Sequence, residues 1–436
     1  MEASADYTWT PPEFDLSRPP ARSALWNVTS HTSLPGNFAR SAKWCPDGSA
    51  ALVQCEHREF WVLDPRAAES AVAGEGTSMS WSTTDRIRAN LPNFPSCKGS
   101  ASNLPPVRTL PQPAPILDYA WYPTASATNP ASFCFVASVR ETPVKLLDAS
   151  DGRLRASYPI VDHRERQIAP HSLAFNLSGT SLYCGFEDAI EVFDLGRPGE
   201  GTRLPTSPSK KSRDGLKGII SALAFSPSYD SDFYAAGSLA ATAANIAMFS
   251  EADGAIPVLF VGGGPRAGVT QLHFNPTQPH LLYAAFRRRR EVYSWDLRAD
   301  VSNPVKIYST SSVGDPPVGD TNQKRRFDVD VAGRFLAVGD QEGNVNVFDL
   351  SSSSDEGAAI TYPAHSDAIG GVTFHPTAQA LLSVSGSRHF RESGSDSSDD
   401  GDDGDGEGEV VRRGAARPTP VPIDASIKLW DFGIQR

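Results

Sequence analysis

The sequence predicts an all-β fold, a seven-bladed β-propeller, on the basis of three observations. One sequence pattern recurs seven times. In its first half a strand ends at an aromatic or large apolar turn residue, and in its second half another strand ends at a large apolar residue followed by Asp or, once, by Ser. The two halves lie 19 to 27 residues apart in six copies and 57 apart in the seventh. The 436 residues hold seven units of about 40–45 residues with room for insertions. Units of this size bury their apolar faces only by stacking on one another.

The second, closing half of the pattern indicates the type of repeat. The turn halves begin at Trp44, Trp121, Phe175, Phe225, Phe274, Val329 and Phe374. The closing halves are Leu63-Asp64, Leu147-Asp148, Phe193-Asp194, Phe249-Ser250, Trp295-Asp296, Phe348-Asp349 and Trp430-Asp431. Trp-Asp closings after a short strand are typical of WD40 repeats, in which each unit is a four-stranded blade. We therefore expect seven blades in chain order.

A strand near the N-terminus is expected to close the ring. The Trp-Asp pair ends the third strand of a WD40 blade, and only five residues follow Asp431, so the last blade needs a fourth strand from elsewhere. Residues 24–31 are the free extended segment, and an unpaired edge strand would invite association. We expect residues 24–436 to form the propeller, with 24–31 as the outer strand of the blade that contains Trp430. Residues 1–23 are expected to be a disordered arm.

Two insertions interrupt the repeats. Residues 65–114 are rich in Ser, Ala and Pro and are expected to be mostly disordered around one outer strand. Residues 387–422 split the last repeat between its second and third strands and are expected to be an acidic, disordered loop. Of the net charge of −11, residues 391–410 carry −8, which leaves −3 for the rest of the chain. The near-neutral propeller is therefore compatible with an anionic partner.

The last repeat also contains the residue types of the buried, hydrogen-bonded tetrad of this fold. They are His365, Ser383, Asp424 and Trp430. Elsewhere the sequence has no phosphate-binding Gly loop with a following Lys, no His-Glu-x-x-His and no Cys-x-x-Cys, and the nine histidines have no ligand spacing. We expect no catalytic residue, metal or cofactor. The five cysteines form no metal-binding pattern. No apolar run is long enough to span a bilayer, so we expect no contact with membranes. We also expect the protein to be a monomer.

Basic residues concentrate on the loops of one predicted face. In this fold the turn between the second and third strands lies on the same face as the linkers between blades. Taken singly, each basic loop also fits a solvated turn. Arginine pairs with phosphate and stacks on bases, so a convergent set on one face predicts an interface for nucleic acid. The candidate RNA-binding residues are Arg140, Arg164, Arg166, Arg287, Arg288, Arg289, Arg290, Lys324, Arg325 and Arg326, with Lys210, Lys211 and Arg213 on the same face.

The amino-acid sequences of several predicted blades resemble those of the telomerase Cajal body WD40 proteins. The resemblance is carried by runs such as Asp-Tyr-Ala-Trp-Tyr (118–122) and Ala-Pro-His-Ser-Leu-Ala-Phe (169–175), and by residues 136–144, 152–158, 183–186, 218–227 and 293–298. It extends from Phe38 to Trp430 and includes an acidic insertion after Ser-Gly-Ser-Arg-His-Phe (385–390). The four-arginine turn and the insertion 65–114 depart from the pattern of that family.

The resemblance implies an RNA-binding function. That family binds small nuclear guide RNAs and, in animals, telomerase RNA, directs them to nuclear bodies, and depends on the cytosolic chaperonin for folding. The resemblance therefore implies a nuclear scaffold that folds in the cytoplasm, binds such an RNA and assembles with ribonucleoprotein proteins. The alternative is a scaffold for protein interactions, for example in pre-mRNA splicing, whose arginine face docks an acidic peptide without binding RNA directly.

Overall fold

The computed structural model describes residues 10–28, 36–66, 104–209, 211–212, 214–310, 322–352, 357–390 and 420–433. Within these ranges the chain forms 30 strands and no helix; it follows that no described helix could cross a membrane. The strands are β1 (Ala21–Asn27), β2 (Ala39–Trp44), β3 (Ala51–Cys55), β4 (Glu59–Leu63), β5 (Arg108–Pro111), β6 (Ile116–Trp121), β7 (Cys134–Val139), β8 (Val144–Asp148), β9 (Leu154–Tyr158), β10 (Ser172–Phe175), β11 (Ser181–Phe186), β12 (Ala189–Asp194), β13 (Thr202–Pro205), β14 (Ile220–Phe225), β15 (Phe233–Ser238), β16 (Ile246–Ser250), β17 (Leu259–Val261), β18 (Val269–Phe274), β19 (Leu281–Phe286), β20 (Glu291–Asp296), β21 (Lys306–Ser309), β22 (Asp328–Val329), β23 (Phe335–Gly339), β24 (Asn344–Asp349), β25 (Ile360–Pro363), β26 (Ile369–Phe374), β27 (Ala380–Ser385), β28 (His389–Phe390), β29 (Pro420–Val421) and β30 (Ser426–Asp431).

Seven antiparallel four-stranded sheets form the blades of a propeller, which confirms the predicted fold class. Blades 1 to 6 each take four successive strands, from β2–β5 to β22–β25, and blade 7 combines β26, β27, β30 and β1. The first strands of all seven blades surround a central channel. Apolar side chains are buried between neighbouring blades. For example, Phe60 of blade 1 packs edge-on against Tyr119 and Phe135 of blade 2, with ring centroids 5.3 and 5.1 Å apart.

The N-terminal strand closes the ring, as the fold prediction required. β1 pairs antiparallel with β30, from Ala21 opposite Asp431 to Asn27 opposite Ser426. The strand begins at Ala21 rather than at residue 24, because its register with β30 extends to the end of that strand. Phe14 also packs edge-on against Phe374 of blade 7, at 5.1 Å between ring centroids. The expected disordered arm is therefore wrong for residues 10–23, while residues 1–9 and 29–31 lie outside the described residues.

Strands occur at the ends of both predicted insertions. β5 is the outer strand expected within residues 65–114, and the N–H of Leu104 before it donates to the carbonyl of Leu25 at 2.9 Å. β28 and β29 pair across the acidic insertion, with His389 opposite Val421. This hairpin stem, which the sequence did not predict, joins the two ends of the loop. Residues 67–103 and 391–419, including their expected disorder, lie outside the described residues.

The four predicted tetrad residues lie in one hydrogen-bonded chain inside blade 7. The indole Nε1 of Trp430 donates to the Ser383 hydroxyl at 2.8 Å, and that hydroxyl lies 2.7 Å from His365 Nε2. His365 Nδ1 lies 3.4 Å from the carboxylate of Asp424. Burial lowers the pKa of His365, with the carboxylate of Asp424 acting in the opposite direction. The chain links the segment before β26 to the second and third strands of the blade, so its role is architectural.

Loop geometry supports the sequence-based assignment of loops to one face. The backbone N–H of Arg140, in the turn after β7, donates to the carbonyl of Pro115 in the linker before β6 at 3.0 Å. In blade 5 the N–H of Arg287 donates to the carbonyl of Gly268 in the same way at 2.7 Å. The second-to-third-strand turns therefore lie beside the interblade linkers. We call this side of the ring the linker face.

Candidate nucleic-acid interface

A charged constellation lies inside the channel. The cavity there is about 370 Å³ in volume and is lined by the first strands of all seven blades. Lys43 Nζ and Arg326 Nη2 each lie 3.6 Å from the same oxygen, Oδ1 of Asp118. The other carboxylate oxygen of Asp118 accepts the N–H of Leu173 at 2.9 Å. Burial by itself would raise the pKa of Asp118, but Lys43 and Arg326 lower it, so the carboxylate is ionised and holds both cations.

Two backbone hydrogen bonds fix the linker before blade 6 at the end of this channel. The N–H of Arg326 donates to the carbonyl of Gly370 at 3.0 Å, and the N–H of Val372 donates to the carbonyl of Arg326 at 3.2 Å. Blade 7 presents glycines at this point. A Cβ on Gly370 would lie 2.5 Å from the carbonyl oxygen of Arg40. Glycine in a strand often marks a close backbone approach, and here it brings Arg40 of blade 1 near the linker of blade 6.

Four cations meet where the channel opens on the linker face. We call Arg40, Arg287, Lys324 and Arg326 the mouth cluster. The pKa of Lys324 falls to about 8: burial lowers it most, the charges of Arg326, Arg40 and Arg287 also lower it, and Asp118 opposes them. Lys324 is two residues before Arg326 in the same linker, and Gly370 brings the backbone of Arg40 against this linker.

Two more basic side chains border the mouth cluster. Burial lowers the pKa of His171, and the charges of Lys324 and Arg140 act in the same direction. His171 and Arg140 therefore lie near Lys324. Neither Lys324 nor the side chain of Arg287 has a hydrogen bond or ion pair with the other described residues.

The four consecutive arginines of blade 5 are not equivalent. Arg287 belongs to the mouth cluster, whereas Arg290 pairs with Glu342 at 3.3 Å. Arg288 has a positive φ of 58° and its Nε donates to the side chain of Asn322 at 2.6 Å. Arg289 is exposed. Positive φ lets the turn reverse in two residues, which aims successive side chains in different directions.

Three consecutive linker residues also diverge. Arg326 enters the channel, where its Nη1 donates to the carbonyl of Thr270 at 3.1 Å. Lys324 faces the mouth. Arg325 turns outward between blades 5 and 6 and donates to the carbonyls of Arg289 and Gly339, at 2.6 and 3.5 Å. Arg325 is thus engaged by the backbone of its neighbours, because alternate residues of an extended linker point to opposite sides.

Arg164 and Arg166, which we call the rim pair, lie in the linker between β9 of blade 2 and β10 of blade 3. They occupy a small hairpin closed by a bridge between Val161 and Gln167. Both backbone N–H groups donate to the carboxylate of Asp162, at 2.7 and 3.0 Å. The guanidinium of Arg203, on the outer strand β13 of blade 3, donates to the carbonyl of Val161 at 3.0 Å.

No described hydrogen bond or ion pair joins the rim pair to the mouth cluster, and a role for the rim pair in RNA binding stays a prediction. A linker runs from the outer strand of one blade to the inner strand of the next, so its residues are spread over the whole radius. Lys211 is exposed in the linker before blade 4, and Lys210 and Arg213 lie outside the described residues.

Comparison with known proteins identifies the family. The chain is 32% identical over 394 residues to telomerase Cajal body protein 1 of Mus musculus, and 30% identical over 416 residues to that of Homo sapiens. These alignments cover 89% and 94% of this chain, and 65% and 66% of the relatives. The chain belongs to the telomerase Cajal body protein family. It spans a little under two thirds of the length of these relatives.

The fold comparison agrees with the architecture. The crystal structure of Chaetomium thermophilum Raptor superimposes with a TM-score of 0.58 and 15% sequence identity, over 97% of this chain and 29% of that chain. At this identity the likeness shows the fold alone. No protein-family model matches the chain.

In this member of the telomerase Cajal body protein family, sequence reasoning missed four residues of the site. They are Arg40, Lys43, Asp118 and His171. Each stands alone in its segment, so none forms a basic run. The available signal was the pair Gly370-Gly371 inside a predicted strand, which marks a close approach of backbones. The aromatics Phe286 and Phe327, near the basic loops in sequence, are 3% and 2% exposed and belong to the core.

Proposed function

We propose that this chain is a non-enzymatic RNA-binding scaffold whose linker face holds RNA at the mouth cluster. Its ligands are small nuclear guide RNAs of the Cajal-body type, telomerase RNA included, and it directs their ribonucleoproteins to nuclear bodies. The observation that carries the proposal is the mouth cluster, where cations from blades 1, 5 and 6 meet around a channel. A convergent basic patch on a body with little other net charge is the electrostatic footprint of a nucleic-acid ligand.

The residues suit phosphate more than protein carboxylates. Arg287 and Lys324 are the mouth cations without a carboxylate partner among the described residues, so they supply free donors. Arg140 and Arg289 are exposed nearby and extend the contact along the face. Because the neighbouring aromatic rings are buried, base stacking falls to the flat guanidinium groups, which stack on unpaired bases of single-stranded RNA.

The names of the relatives support the cellular part of the proposal. The relatives are telomerase Cajal body proteins, so we assign this chain to the nucleus and to ribonucleoproteins of that kind. The closure of the ring supports assisted folding by the cytosolic chaperonin. Pairing Ala21 with Asp431 joins the two ends of the propeller, and such non-local contacts form slowly. We propose that the protein folds in the cytoplasm as a monomer and then enters the nucleus.

Sequencing the RNA that crosslinks to the tagged protein in cells tests this proposal. Small nuclear or nucleolar-type RNAs are expected to be enriched for the wild-type protein and to fall to background for the double variant Arg287→Gln, Lys324→Met. The matched control is Arg164→Gln, Arg166→Gln, which removes the same charge from the rim. Background recovery from the wild-type protein would instead support the scaffold that docks an acidic peptide.

A further inference from the structure

The mouth holds two cations that form no ion pair with a carboxylate among the described residues. Each carboxylate there is shared by two cations: Asp118 by Lys43 and Arg326, and Glu56 by Arg40 and Arg388. Lys324 and Arg287 have no carboxylate among the described residues. Four cations therefore share two carboxylates, and Arg287 and Lys324 add two further positive charges.

This charge is compact and held by the backbone. Gly370 and Gly371 of β26 lie between Arg40 and Arg326, and a Cβ on Gly371 would lie 3.3 Å from the Cβ of Arg326. The hydrogen bonds between Arg326 and β26 fix the linker that carries Lys324. The backbones of Arg326 and Arg40 therefore stay close to each other as long as both remain in contact with blade 7. A site in which like charges are held together in advance of ligand binding is preorganised for a multivalent anion.

We propose that the mouth cluster binds a compact polyphosphate, two or three linked phosphate groups, on a free small molecule or at the 5′ end of an RNA. Linked phosphates concentrate negative charge as the mouth cluster concentrates positive charge, and they match it more closely than phosphates spaced along a strand do. The inference goes beyond the RNA-scaffold function, since a polyphosphate can occupy the mouth whether or not RNA binds the face.

The geometry assigns different roles to the cations. Arg287 and Lys324 have side-chain donors without a partner among the described residues, and they contact the ligand directly. Arg326 keeps its bonds to Asp118 and to the carbonyl of Thr270, so it contributes its field from the channel wall. Ser41, Ser172 and Ser221 line the cavity of about 370 Å³ beneath the mouth. The space there admits phosphate oxygens together with water.

The empty site is costly, which is consistent with a binding role. Neighbouring cations and burial both disfavour the charged ammonium of Lys324, so its pKa falls to about 8. Arrangements that lower stability are typical of functional sites, where activity rather than stability determines the residues. A bound polyphosphate would neutralise the cluster and stabilise the folded protein by linkage.

Binding of inorganic tripolyphosphate to the full chain tests the proposal, by isothermal titration calorimetry at constant ionic strength with sulfate as the comparison anion. One saturable site is expected, with affinity at least tenfold greater than for sulfate. The double variant Arg287→Gln, Lys324→Met is expected to lose at least tenfold in affinity, and the rim variant Arg164→Gln, Arg166→Gln to bind like the wild type. Lys324→Arg, which keeps the charge, should retain binding and guards against a misfolded variant.

Two results would overturn the proposal: absence of a saturable site in the wild-type protein, or equal weakening in the mouth and rim variants. A further comparison identifies the source of the phosphates. The same RNA is measured with a 5′-triphosphate and with a 5′-hydroxyl. Tighter binding of the triphosphate form, lost in the mouth variant, assigns the site to an RNA end. Equal binding of the two RNAs, with tripolyphosphate still bound, assigns it to a free small molecule.

Discussion

The mouth cluster and the rim pair are both assigned to the linker face of the propeller. They differ in how their charges are held and in the partners that surround them. The mouth collects cations from three blades, is fixed by hydrogen bonds to blade 7, and contains two cations without a carboxylate partner among the described residues. The rim pair belongs to one solvent-exposed hairpin, where Asp162 accepts both backbone N–H groups. Exposed charges of that kind are screened by salt and contribute little.

Under the proposed function, the position of a charge along the radius of the propeller matters more for anion binding than the face that carries it. Sequence order assigns a loop to a face, because turns and linkers alternate regularly. It does not assign a residue to the mouth or the rim. That depends on the side chain's direction within an extended linker and on how closely the neighbouring blades approach.

Opening the ring should have the largest effect on this comparison. Removing residues 1–27 deletes β1 and leaves the edge of β30 unpaired in blade 7, the blade that seats Arg40 and Arg326. We expect aggregation and loss of RNA binding. Amide hydrogen exchange on the soluble fraction should show lost protection in β26 and retained protection in blade 3. A monomeric deletion variant with an unchanged Tm would contradict closure by this strand.

Filling the glycine contact should have the next largest effect. Gly370→Ala places a Cβ 2.5 Å from the carbonyl oxygen of Arg40. Overpacking of this kind costs about 1–3 kcal/mol of the free energy of unfolding. It should also weaken RNA binding several-fold by moving Arg40 of blade 1 away from blade 7. Denaturant unfolding and RNA titration measure the two effects. Gly357→Ala is the matched control, because no atom lies within 4 Å of its added Cβ; equal effects of the two substitutions would refute the close approach.

The pH dependence of RNA affinity should distinguish the mouth from the rim. Lys324 has a pKa of about 8 in the free protein, and a bound phosphate favours its charged form. Affinity should therefore fall several-fold as pH rises from about 7 to 9, because the free protein loses this proton before the complex does. Arginines do not titrate in this range, and the lowered pKa of His171 leaves it neutral throughout. Lys324→Arg should give a flat profile from the mouth, and a wild-type profile that is already flat would exclude Lys324 from the interface.

Removing the charge of Lys324 should have the smallest effect, a gain in stability. The folded-state pKa of about 8 lies below the ordinary 10.5, so the unfolded chain binds this proton more tightly and the charged form disfavours folding at pH 7. Lys324→Met should raise Tm by about 1–2 °C. A stability change of about 1 kcal/mol shifts Tm by roughly 2–4 °C in a domain of about 150–250 residues, and by less in a larger one such as this. Differential scanning calorimetry without RNA measures this change. A lower Tm would show that Lys324 stabilises the free protein.

The fold was largely predictable from sequence, because the pattern of strands and turns that forms one blade recurs seven times. The ring closure was predictable for a similar reason: β30 needed a partner, and one extended segment was free. The bounds were less accurate. Phe14 is separated from β1 by prolines and gives no periodic signal, yet it packs between Phe374 and Phe432.

The candidate site was predictable only in part. Arg287 and Lys324 lie in basic runs and were found, whereas Arg40 and Asp118 are single charged residues in strands and were missed. Their proximity arises from blades that are distant in sequence, and no local pattern encodes it. The neutralisation of Arg290 by Glu342 and the engagement of Arg325 by backbone carbonyls are likewise contacts between blades 5 and 6.

The salt dependence of RNA binding tests the central claim most directly. Each cation that neutralises a phosphate of single-stranded RNA contributes about −0.7 to the slope of log affinity against log salt concentration. The double variant Arg287→Gln, Lys324→Met should therefore make the slope shallower by about 1.4, whereas Arg164→Gln, Arg166→Gln should leave it unchanged. Both variants remove two positive charges from the same face. Equal changes in slope would show that RNA responds to diffuse charge and that the mouth cluster is not its binding site.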